Sequence, residues 1–179
     1  VRENLGLPDG GLRADDDAQT DAVVEALRRL RPSLVLAPWI EARHPDHAAA
    51  GRLIERAVFF AGLAKHRPAL GAPARPLRLV FYPQRHEVRP DFVVDVTTIY
   101  PVKQAAIACH ASQFGAGGTK TLINASVGLG AFEARDRYWG ATIGVPLGEP
   151  YLLRGPVPLA DPVAHFAAHP HPPVLVPPR

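Results

Sequence analysis

Methionine is missing from the sequence, and cysteine occurs once, at Cys109. One cysteine excludes an internal disulfide and suits a reducing compartment, so a cytoplasmic location is expected. No stretch approaches the roughly 18 uninterrupted apolar residues of a membrane span. No charged-then-apolar leader opens the chain, so nothing in it argues for export. Blocks of like charge are also lacking. The 20 Lys and Arg residues and 17 Asp and Glu residues are interspersed, with a net charge of +3 and a pI near 9.4. That pattern excludes a basic nucleic-acid arm. It suits a small anionic ligand gripped by one or two arginines. The chain starts on Val1, and VRENLGL reads as a strand entered midway. The expectation is that the natural N-terminus lies upstream.

What is present is ordinary for a globular protein. The 179 residues are 47% hydrophobic and 21% charged, enough for one domain with a sizeable core. PDGG at 8–11 is turn chemistry. The acidic run at 15–17 offers a helix N-cap. Val23, Val24, Leu27 and Leu30 then recur at helical spacing, which predicts an amphipathic helix over 17–31, ended by Pro32. LVLA at 34–37 reads as a strand buried on both faces. A helix is predicted over about 46–64, strands over 77–82 and 92–96, and helices over about 101–113 and 129–140. The alternation predicts an α/β fold with a mainly parallel, Rossmann-like sheet and flanking helices. The expected layout is one domain over 1–155 and a loose proline-rich tail over 156–179.

The stretch RHPDH at 43–47 follows the LVLA strand directly. Ligands in open α/β folds bind at the carboxyl ends of strands. Pro45 suits the first helical position and Asp46 the first turn. His47 would then be held by helix geometry, with His44 on the loop before it. An imidazole so placed suits a metal ligand, and a neighbouring one can stabilise an oxyanion. The spacing alone leaves two readings, a helix-start loop or a metal site, because short motifs have many false positives. A catalytic zinc needs three protein ligands. Nearby candidates are His44, His47, Asp46, Glu41 and Asp9. The histidines elsewhere are scattered and read as surface or tail residues.

Several segments in order resemble a known family. They are LGLPDGGL (5–12), RPSLVLAP (31–38), RHPDHAAAGRLIERAVFFAGL (43–63), FVVDV (92–96), SQFG (112–115) and EARDRYWGATIGVPLGEPY (133–151). Together they resemble the LmbE-like or PIG-L superfamily of zinc-dependent N-acetylglucosaminide deacetylases. The likeness is strongest to the bacillithiol-biosynthesis deacetylases that act on N-acetylglucosaminyl malate. The resemblance implies a zinc cofactor with His47 as a ligand and His44 as the group stabilising the tetrahedral intermediate. It places Asp9, Arg43 and Gln113 at the substrate. It also implies a small amino-sugar conjugate as partner and a homo-oligomer, with no nucleic acid or membrane involved. The chain departs from the family in one respect. An AHPDDE-type motif, which supplies two further zinc ligands and the general base, has no match here. The implied first strand–helix unit, roughly 30 residues, is therefore expected to be missing. The alternatives are an inactive remnant, a sugar-binding or assembly subunit, or a smaller metal site built from Asp9, His44 and His47.

Overall fold

A computed structural model of the chain describes residues 2–84, 87–110 and 130–170. The fold is mixed α/β. Its elements run α1 (Asp17–Leu30), β1 (Leu34–Pro38), α2 (Pro45–Ala61), β2 (Arg78–Tyr82), β3 (Phe92–Asp95), α3 (Tyr100–Ala108), α4 (Gly130–Thr142), β4 (Gly148–Tyr151) and α5 (Pro162–Ala168). Two compact units arise. One holds Val1–Asp91 with Tyr151–Gly155, and the other holds Phe92–Pro150 with Pro156–Arg179. No helix among the described residues is long and apolar enough to cross a membrane.

In the first unit, α1 starts where the acidic run predicts. The Asp16 carboxylate accepts the Gln19 N–H at 2.9 Å. The helix ends at Arg31, whose left-handed backbone (φ 47°) lets its N–H reach the Leu27 carbonyl. Proline next in sequence disfavours continued helix at that residue. β1 and β2 pair in parallel, from Leu34 opposite Arg78 to Pro38 opposite Tyr82. Val24 and Leu27 of α1 pack against Ala57 and Ala61 of α2, with Val35 against them. Ala37, Phe81 and Leu152 form a second cluster, and Trp39 meets Phe81 edge to face at 5.5 Å. The chain returns at Leu152 to bridge Phe81 in antiparallel fashion.

Three expectations need correction. β1 is not buried on both faces. Ala37 is fully buried, yet Leu34 and Leu36 on the opposite face stay 52% and 50% exposed. Side chains alternate across a strand, and the described residues cover the Val35–Ala37 side. Among the described residues the strands form two pairs rather than one parallel sheet, and β3 pairs with β4. The β4 sequence GEPY was invisible to propensity, since Gly and Pro are depleted in strands. Lastly, the supposed tail contains α5. Asp161 caps it by accepting the Ala164 N–H, with Pro162 at its first position.

Arg28 is the most heavily bonded side chain of the first unit. It is 3% exposed, and its guanidinium donates to the carbonyls of Phe60, Ala61, Leu63, His66, Arg67 and Gly71. It binds the end of α2 and the loop beyond it to α1.

In the second unit, fully buried Asp136 organises the polar interior. It accepts from Lys103 Nζ at 2.6 Å and from Arg135 at 2.8 and 3.0 Å. Lys103 also pairs with Glu149 on β4. Gly140 lets α4 approach the following turn, since a Cβ there would lie 2.7 Å from Leu147 N and Val145 O. Burial, together with the Asp136 carboxylate beside it, pushes the Tyr100 hydroxyl up to about 12. The folded pKa exceeds the unfolded one, so this stability is fully present below about pH 10. It is lost as pH rises from there through about 12. Alkaline unfolding should therefore coincide with tyrosinate absorbance for Tyr100. In Tyr100→Phe the stability should fall less across that window; an unchanged profile would exclude the coupling.

Candidate functional site

The site begins at the carboxyl end of β1. Trp39 N–H still reaches the Tyr82 carbonyl at 3.0 Å, and the chain then leaves the sheet. α2 passes very close to this strand end. A Cβ on Gly51 would lie 2.4 Å from the Pro38 carbonyl oxygen. Only glycine permits that approach, which places the start of α2 beside the end of β1.

His44 is the N-cap of α2, and Pro45 occupies the first turn. The His44 Nδ1 accepts the Asp46 N–H at 3.2 Å. An imidazole nitrogen that accepts has no proton, so neutral His44 carries its proton on Nε2. Its free edge is therefore a donor. His47 sits in the first turn, with its N–H on the His44 carbonyl. The two rings lie 5.0 Å apart, tilted by 33°, and both side chains are exposed. The structure thus brings the His44 and His47 rings together.

Asp46 behaves differently from a free carboxylate. Its Oδ2 accepts the Gly10 N–H at 2.7 Å and its Oδ1 the Leu12 N–H at 3.4 Å. This ties the Pro8–Gly11 turn, which carries exposed Asp9, to the start of α2. The Gly11 N–H closes the turn on the Pro8 carbonyl, and Gly10 adopts a left-handed φ of 69°. Sequence reading missed this role. No local signal marks it, because the partners lie 34 and 36 residues away. Arg43 lies exposed beside His44. Gln113 falls outside the described residues.

Among the described residues, no three or more His, Cys, Asp or Glu side chains gather to hold a metal. The compact alternative of Asp9, His44 and His47 as a complete metal site is therefore not met. The Asp46 oxygens are engaged by backbone N–H groups. A zinc ion needing three protein ligands does not fit these residues alone. His66 stacks on Phe60 at 4.3 Å, and His165 and His169 meet on α5.

The family model of PIG-L, GlcNAc-PI de-N-acetylase, matches residues 1–58. That span contains the Pro8–Gly11 turn, β1 and the His44–His47 pair. Diacetylchitobiose deacetylase of Thermococcus kodakarensis is 35% identical over 98 residues, which is 51% of this chain and 36% of the relative. 4-Oxalmesaconate hydratase of Pseudomonas putida is 30% identical over 115 residues, 62% of this chain and 44% of the relative. The chain thus spans less than half the length of these curated relatives. Among solved structures, a conserved protein of Thermus thermophilus is 40% identical, with a TM-score of 0.77. The match covers 88% of this chain and 67% of that one. N,N'-diacetylchitobiose deacetylase of Pyrococcus horikoshii shares the fold at 24% identity and a TM-score of 0.65, over 81% of this chain and 54% of its own. The family match falls on the segment that builds the histidine pair, and the Thermus relative extends the likeness over most of the fold. The chain belongs to the PIG-L/LmbE-like superfamily.

Proposed function

We propose that the protein is a zinc-dependent N-deacetylase of an N-acetylglucosaminide, with N-acetylglucosaminyl malate of bacillithiol biosynthesis as its substrate. The observation that carries this reading is the His44–His47 pair at the start of α2, inside the segment matched by the de-N-acetylase family. The deacetylase relative supports the reaction class. His47 would give one nitrogen to zinc, with the remaining donors outside the described residues. His44 Nε2–H would donate to the oxygen that becomes negative when water attacks the acetyl carbon. Attack breaks the amide bond and yields acetate and a free amino sugar. Arg43 fits the malate carboxylate as a bidentate fork, and Asp9 and Gln113 are further substrate contacts. The protein would work in the cytoplasm as a homo-oligomer.

The partial donor set favours a second reading, a sugar-binding or assembly subunit without turnover. One experiment separates the two. The full natural chain is given N-acetylglucosaminyl malate, and acetate release and bound zinc are measured together. Zinc near one per chain, acetate release, and loss of both in His47→Ala are expected. Sugar binding without acetate release would support the second reading. Undiminished zinc and rate in His47→Ala would sink the first.

A further inference from the structure

The Asp46 carboxylate lies in the middle of the His-Pro-Asp-His motif, yet it serves a distant segment. The start of α2 is already capped by the His44 side chain and preset by Pro45. The Asp46 oxygens accept instead from the Gly10 and Leu12 N–H groups. Its own N–H meanwhile fixes the acceptor edge of His44. A single residue therefore holds both the turn bearing Asp9 and the tautomer of His44. The far side of the same segment is braced separately. The Gln19 side chain donates to the Gly11 carbonyl and accepts the Arg13 N–H, each at 3.0 Å. Gln19 anchors the segment to α1, and Asp46 links it to the start of α2 beside the histidine pair.

We propose that Asp46 is a positioning residue that docks the Pro8–Gly11 turn on the start of α2, so that Asp9 and His44 face one amino-sugar substrate. On this assignment its carboxylate is no metal donor. Negative charge at a helix N-terminus is favourable, and charge-assisted bonds to backbone N–H groups are strong. The turn should thus stay docked only while that carboxylate is present. The effect on substrate rests on the deacetylase reading; the docking itself does not.

The test uses the full natural chain and Asp46→Ala, with Asp46→Asn as the milder variant should the first fail to fold. Amide hydrogen exchange at Gly10 and Leu12 should speed up at least about tenfold, with the core of α2 unchanged. KM for N-acetylglucosaminyl malate should rise about tenfold or more, while kcat stays within about threefold and bound zinc is unaltered. Asp46→Asn keeps one acceptor oxygen and should fall between. Unchanged exchange at Gly10 and Leu12 overturns the docking. Faster exchange with unchanged KM overturns the positioning role. Loss of zinc with intact fold shows a metal donor and overturns it too. If the wild-type chain releases no acetate, the deacetylase reading fails, and the exchange experiment still decides the docking.

Discussion

Replacing His44 with asparagine should lower kcat about 10²–10³-fold while leaving the helix start intact, the loss typical of removing one oxyanion donor. His44 has two separable duties. Its Nδ1 accepts the Asp46 N–H and caps α2. Its Nε2–H is the outward donor of the proposed reaction. Asparagine is among the best N-caps, so the first duty survives. Its shorter side chain cannot carry a donor to the imidazole's outer edge, so the second is lost. His44→Ala should lose both, adding a cap penalty of about 1 kcal/mol. Acetate-release kinetics and thermal melts on the two variants check this. A His44→Asn protein with near wild-type kcat would remove His44 from the chemistry.

Local signals made part of this molecule legible. The acidic run at 15–17 and the spacing of Val24 and Leu27 gave α1 nearly to the residue, and Pro45 marked the first turn of α2. These features act over one helical turn, and sequence spacing reports that distance well. β1 was found but its burial was misjudged. LVLA is apolar throughout, and only neighbours distant in sequence decide which face is covered. The histidine pair was visible as a motif. The Asp46 clasp was not, because it depends on a turn brought near by the fold. Arg28 shows the same limit. It follows Leu27 on the inward side of α1, but its six acceptors lie 32 to 43 residues away, beyond the reach of sequence spacing.

Those acceptors give Arg28 the largest expected effect on stability. Arg28→Met should destabilise the fold by about 3–5 kcal/mol, comparable to breaking a buried charged network. The guanidinium is buried, and among the described residues it donates to main-chain carbonyls and to no carboxylate, so carbonyl dipoles balance its charge there. The carbonyls of Phe60, Ala61, Leu63 and Arg67 each accept a backbone N–H as well, and would keep it. Those of His66 and Gly71 would lose the guanidinium bond with no backbone N–H in reserve among the described residues. Each buried polar group left unsatisfied costs about 1–3 kcal/mol. Methionine fills similar length but donates nothing. Lysine offers three donors from a single point and cannot span six acceptors, so Arg28→Lys should fall between the two. Small domains hold about 5–15 kcal/mol in total, so the methionine variant should show a sharply lower urea midpoint. A midpoint shift worth less than about 1 kcal/mol would mean that water replaces the guanidinium at these carbonyls. Arg28 would then be a side chain accommodated by the loop after α2, and the loop's conformation would have to come from Gly71 and the Pro68–Leu70 turn instead.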